Sequence, residues 1–178
     1  GEVPGDGIDN DENGYVDDVH GWNFDDENGD PSDQNGRGTG MAGLAVGDGT
    51  AGLQTGVAPD AELMVLRVGD TESTAWAAIQ YALDHGADVI VQGVRVDWSD
   101  DPRPDYPGWR DVAVSTLQAG VLHVNAAGDK GNKLAQNPIP YNVAAPANCP
   151  APVAHPGQDE GGAPSAVLAV ANVSHDND

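Results

Sequence analysis

Beyond residue 56 the apolar positions fall into two alternating rhythms. Short apolar runs occur at Glu62-Leu63-Met64-Val65-Leu66-Arg67-Val68, Asp88-Val89-Ile90-Val91, Val121-Leu122-His123-Val124 and Ala166-Val167-Leu168-Ala169-Val170. Each has the length and the β-branched content of a strand, so four strands are predicted. Between the first two runs, Ala75, Ala78, Ile79, Ala82 and Leu83 recur at helical spacing, and Gly86 stops the pattern. Between the second and third, a long polar loop from Asp97 to Pro107 leads into a helix through Trp109, Val112, Ala113 and Leu117, which ends at Gly120. Short buried strands separated by helices of about a dozen residues predict an α/β fold, with a mostly parallel sheet and helices on both faces.

The first 36 residues follow neither rhythm. They are nearly all turn formers and acids, interrupted only at His20-Gly21-Trp22-Asn23-Phe24. The expected organisation is therefore one domain with two parts, acidic loops over 1–36 and an α/β core over 37–178. A length of 178 residues with 39% hydrophobic content suits a single domain with a real core. The net charge of −22 opposes nucleic acid and anionic membrane surfaces as partners and favours cations. Outside the N-terminal loops the same charge also suits solubility in a salty or secreted setting. No run approaches the roughly 18 apolar residues of a membrane span, so no membrane insertion is expected. Cys149 is the only cysteine, which precludes an internal disulfide and leaves a free buried thiol or an intermolecular bond, of which the buried thiol is expected. A start at Gly1, with neither Met nor a signal peptide, reads as a processed or incomplete chain.

The acidic loops carry one ordered pattern. In Asp6-Gly7-Ile8-Asp9-Asn10-Asp11-Glu12-Asn13-Gly14-Tyr15-Val16-Asp17-Asp18, oxygen side chains recur at Asp9, Asp11 and Asn13. Gly14 then permits a sharp turn, and Asp17 and Asp18 follow. Ca²⁺ wants six to eight hard oxygens, and alternate residues of a tight loop point inward to supply them. The expected ligands are Asp9, Asp11, Asn13, Asp17 and Asp18, with the Tyr15 carbonyl. Position twelve counted from Asp9 is His20 rather than Glu, and no flanking helices are apparent, so a stand-alone calcium loop is expected and not an EF-hand. A second acid cluster, Asp25 to Asp33, has irregular spacing and reads as solvated turns. The histidines show no zinc spacing, and neither Thr39, Ser115 nor Ser165 stands beside a histidine as a nucleophile would.

The stretch Asn35-Gly36-Arg37-Gly38-Thr39-Gly40-Met41-Ala42-Gly43 resembles the histidine motif of subtilisin-like serine proteases, which reads roughly N-G-H-G-T-H-V-A-G. Residues 5 to 24 are similar to an acidic insert that many secreted bacterial subtilases carry just before that motif. Gly56-Val57-Ala58-Pro59, Ala77 to Ala82, Gly86 to Ile90 and Pro146 to Pro150 also resemble family segments, in the family's order. The resemblance covers nearly the whole chain and implies a three-layer subtilisin-like fold.

At the functional positions the sequence departs from the family. Arg37 stands where the general base would, and an arginine with a pKa above about 12 cannot accept a proton near neutral pH. The segment that would end in S-L-G or S-W-G reads Gly93-Val94-Arg95, so Arg95 should crowd the substrate edge. The A-A-G-N-x-G motif, whose asparagine amide serves the oxyanion hole, reads Ala126-Ala127-Gly128-Asp129-Lys130-Gly131. An ionised Asp129 would repel a developing oxyanion, and loss of such a donor costs about 10²–10³ in rate. No G-T-S-M-A nucleophile motif occurs, and the strand bearing the catalytic Asp would precede the acidic insert.

These departures imply a catalytically inactive, calcium-binding extracellular or cell-surface module, with an incomplete fold. Exposed sheet edges invite pairing, so another protein chain, or remaining segments of the precursor, is expected to complete the sheet. A homo-oligomer or filament would satisfy that expectation. The alternative is a processed fragment of an active, calcium-dependent subtilisin-like endopeptidase.

Overall fold

The computed structural model describes residues 1–50, 52, 55–97, 100–130, 135–136, 143–148 and 167–171. Trp98, Cys149, His155, Ser165 and His175 lie outside the described residues. Two compact units are present, Gly1–Ala78 and Ile79–Asp178.

In the first unit the acidic loops lead to strand β1 (Gly21–Asn23), which pairs in parallel with β2 (Val65–Arg67). Trp22 faces Leu66 across this pair. Gly21 is required there: its φ is +125°, and a Cβ would run into the Val65 backbone. β1 was not expected as a strand, because three residues carry no periodic signal and the pairing partner lies far along the chain. Between the two strands runs helix α1 (Arg37–Val46). Its first turn is capped from outside by Asp33 and Asn35, whose side-chain oxygens accept from the Thr39 and Arg37 N–H groups at 2.7 and 2.9 Å. α1 buries none of its residues, and open space surrounds Gly40 and Gly43.

The boundary between the units falls inside helix α2 (Glu72–Asp84). Ala75, Ala78, Ile79 and Ala82 form its buried stripe, as their spacing predicts. Gly86, with φ +75°, ends the pattern in a left-handed turn.

The second unit is built on a three-stranded parallel sheet, β3 (Val89–Gln92), β4 (Leu122–Ala126) and β5 (Val167–Val170), in the order β3-β4-β5. Helix α3 (Tyr106–Ala119) joins β3 to β4; its N-cap Asp105 accepts from Gly108 N–H at 3.3 Å, and Gly120 closes it with φ +76°. Register places Ile90, His123, Asn125 and Val167 on one face, where His123, Asn125 and Val167 are buried and Ala113 and Val114 of α3 pack on Val167. The other face carries Val89, Val91, Leu122, Leu168 and Val170, all between 47% and 56% exposed. A parallel sheet ordinarily has both faces covered, so an apolar face left open is unusual.

The α/β class, the parallel pairing and all four expected strands are observed, with strand ends shifted by up to three residues. The strands form two sheets, β1-β2 and β3-β4-β5, among the described residues.

Candidate metal loop and degenerate catalytic positions

The acidic loop is held by its own carboxylates. Asp9 accepts from the backbone N–H groups of Asn13 at 3.1 Å and Gly14 at 2.8 Å, the fold-back that the Gly14 turn allows. Glu2 accepts from Asn10, Asp11 and Asp17 N–H at 2.8, 3.2 and 3.0 Å, which draws the start of the chain across the loop. As a result Glu2, Asp9 and Asp11 each bring a carboxylate oxygen within 4.8 Å of the others. Among the described residues none of the three forms an ion pair, so their mutual repulsion is not relieved by a protein cation. Each carboxylate can accept about four hydrogen bonds, which leaves lone pairs on all three for a cation.

The other expected ligands occupy different places. Asp17 turns to a backbone nest, accepting from Gly5, Asp6 and Gly7 N–H at 2.7, 3.2 and 3.1 Å. Asp18 is buried and accepts from the Asn13 side-chain amide at 3.0 Å, while Asn13 also accepts from Tyr15 N–H at 2.7 Å. The Tyr15 ring stands edge-on to Trp22 at 5.1 Å and to Phe24 at 6.1 Å, anchoring the loop to β1. The structure therefore groups Asp9 and Asp11 with Glu2, and places Asp17, Asp18 and Asn13 in the hydrogen-bonding frame beneath them. Glu2 was missed because it lies outside the repeating pattern; nothing local ties it to the loop.

The second acid cluster is consumed structurally. Arg67 pairs with Asp25 at 3.4 Å and Asp26 at 3.2 Å. Asp30 accepts from Ser32, and Asp33 from Asn35, Gly36 and Thr39 N–H groups, and these bonds hold both carboxyls below the usual range.

Arg37 opens α1 with an exposed side chain that makes no ion pair among the described residues. The acidic neighbour that a cation at a helix N-terminus would need is committed elsewhere, because Asp33 is spent on backbone N–H groups.

The second unit holds the other two substituted positions, and it joins them. Arg95 Nη2 lies 3.1 Å from Asp129 Oδ1, and Arg95 Nε lies 3.6 Å from Asp97 Oδ1. Lys130 Nζ bridges Asp97 at 3.3 Å and Asp129 at 3.6 Å, which raises the Lys130 pKa. Beneath them, His123 donates its Nε2–H to Gln92 Oε1 at 2.9 Å, and the Asn125 amide donates to the Gln92 and Val94 carbonyls, each at 3.2 Å. His123 is fully buried and its pKa is pushed down to about 4 by desolvation. His85 stacks on Tyr81, and Ser115 donates to the Asp111 carbonyl within α3, so neither is placed for catalysis.

Parallel strands joined by α3, with sequence motifs in the order described, define an α/β protein built on parallel strand pairs. The Subtilase family model matches residues 5–178, and the chain belongs to that family. Thermitase of Thermoactinomyces vulgaris is 33% identical over 133 residues, covering 71% of this chain and 45% of that protein. The major intracellular serine protease of Bacillus subtilis is 32% identical over 125 residues, covering 64% and 37%. The chain thus spans less than half the length of these relatives. Among solved structures, the epidermin leader peptide processing serine protease of Staphylococcus aureus matches with a TM-score of 0.52 at 23% identity, over 71% of this chain and 38% of that one. That likeness concerns the fold.

Proposed function

We propose that this chain is a non-catalytic, calcium-binding subtilase module that works outside the cell as a structural or protein-binding part of a larger assembly. The observation that carries the loss of catalysis is Arg37 in the place of the family's base: an exposed, permanently charged guanidinium cannot take a proton from a serine. Asp129 supports the same reading, since an anion already neutralised by Arg95 and Lys130 offers no donor to an oxyanion.

The calcium reading rests on Glu2, Asp9 and Asp11, whose converging hard oxygens suit Ca²⁺. Glu2 would supply from before the loop the acid that His20 does not supply at its twelfth position. The open apolar face of the β3-β4-β5 sheet supports the expectation of further polypeptide, another chain or a remaining precursor segment, packing against this one. Among the described residues no helix is long and apolar enough to cross a membrane. The acidic insert and an extracellular calcium supply fit secretion or cell-surface display.

A serine-directed fluorophosphonate probe applied to the native assembly tests the catalytic half. Absence of covalent labelling with and without calcium is expected; labelling that disappears with chelator would instead identify a fragment of an active endopeptidase. Calcium titration followed by thermal melting tests the other half. Binding to the folded state alone should add about 2.7 kcal/mol at a hundredfold excess over Kd. A melting temperature indifferent to both calcium and chelator would reduce the loop to a solvated acidic turn.

A further inference from the structure

Two of the seven Lys and Arg residues in this strongly acidic chain, Arg95 and Lys130, meet at one place, where the segments leaving β3 and β4 run side by side. Between them lie Asp97, with only 10% of its side chain exposed, and Asp129, with 68% exposed. Arg95 lies over Gly128, where a Cβ would stand 3.4 Å from Arg95 Nε and 3.1 Å from the Ala144 methyl. The glycine, at φ +89°, leaves the arginine room to reach across to Asp129.

The backbone around this cluster is turned inward. The Val94 carbonyl accepts from the Gln92 side-chain amide at 3.0 Å and from Asn125 at 3.2 Å. Val96 exchanges both of its backbone bonds with Ala145, at 3.1 and 2.9 Å, and Ala144 N–H donates to the Ala127 carbonyl at 2.9 Å. The Val94 carbonyl and both Val96 backbone groups are therefore already bonded within the chain.

We propose that Arg95 and Asp129 are a matched pair, the centre of a four-residue electrostatic latch with Asp97 and Lys130. The latch ties the segment after β3 to the segment after β4 and keeps the backbone groups of Val94 and Val96 committed internally. The two substitutions then depend on each other. Arg95 supplies the cation that lets an aspartate stand at position 129, and Asp129 draws the guanidinium over Gly128. Each alone would leave an odd charge in the cluster, with Arg95 sharing Asp97 with Lys130, or Asp129 sharing Lys130 with Asp97.

The meaning of the latch rests on the non-catalytic reading, but its existence is read separately from the serine probe. Amide hydrogen exchange at Val96 and Ala145 is compared in the native chain, Arg95→Gln, Asp129→Asn and the double variant. Each single variant should speed exchange about fivefold, and the double should exchange no faster than the faster single one. Sodium chloride at about 1 M should speed exchange in the native chain more than in the double variant, which keeps only the Asp97–Lys130 pair. Because Asp129 is mostly exposed, Asp129→Asn keeps the test valid if Arg95→Gln fails to fold. Unchanged exchange in Asp129→Asn, effects that simply add in the double variant, or indifference to salt would overturn the proposal.

Discussion

His123 gives the sharpest quantitative test of the second unit. Its ring is fully buried in β4, and desolvation holds its pKa down to about 4 from an ordinary 6.5. Between those two values the unfolded chain binds a proton that the folded chain refuses. Stability is therefore fully present above about pH 6.5 and is lost as pH falls toward 4. A depression of this size is worth about 3 kcal/mol at its limit, and about 2 kcal/mol of that should be gone on passing from pH 7 to pH 5. Asp30, Asp33 and Asp48 are held below their normal range, and the stability they lend is present above about pH 4 and lost below it, so pH 5 isolates the histidine. The assay is urea unfolding at the two pH values, on the native chain and on His123→Gln, which keeps a polar side chain facing Gln92. The native chain should lose about 2 kcal/mol and the variant less than about 0.5 kcal/mol. An equal loss in both would refute the argument, because the acid sensitivity would then belong to other groups.

Three further outcomes follow from particular contacts. Gly21→Ala should destabilise the first unit by more than about 2 kcal/mol in chemical denaturation, since any Cβ meets the Val65 backbone at an already left-handed φ. Asp33→Ala should lower the melting temperature and the helical circular dichroism, because three backbone N–H groups before and within α1 lose their acceptor. Glu2→Gln should weaken calcium binding in isothermal titration by at least about tenfold, and Asp9→Ala and Asp11→Ala should do the same. A Glu2 variant with native affinity would return the site to the residues of the repeating pattern alone.

The order of strands and helices was legible because their signals are local. Val, Ile and Leu runs at 89–91 and 167–170, and the small-residue stripe of α2, announce themselves within a few residues. The motif around Arg37 and the glycine-punctuated calcium pattern were readable for the same reason. Other features exist only through partners distant in sequence. Gly21–Asn23 becomes a strand by pairing with Val65–Arg67. Glu2 joins Asp9 and Asp11 only after the loop folds back on Asn10 and Asp11 N–H.

Residue identity does not by itself place a helix. Glycines 40 and 43 lie in α1, where small residues permit close packing, yet no α1 residue is fully buried and both positions border open space. Packing depends on what lies opposite a helix, and a helix's own residues cannot supply that. Arg95 and Asp129 show the same division. Each position, read singly, is a departure from the family's motif. Only the fold, by bringing β3 and β4 into register, puts a guanidinium 3.1 Å from a carboxylate and makes the two changes one interaction. By itself the sequence determined the family, the α/β order and the absence of a base at position 37, because these rest on residue identity and near-neighbour spacing. The tertiary structure alone decided which carboxylates converge, which sheet face stays open and which charges pair, because those depend on distances across the chain.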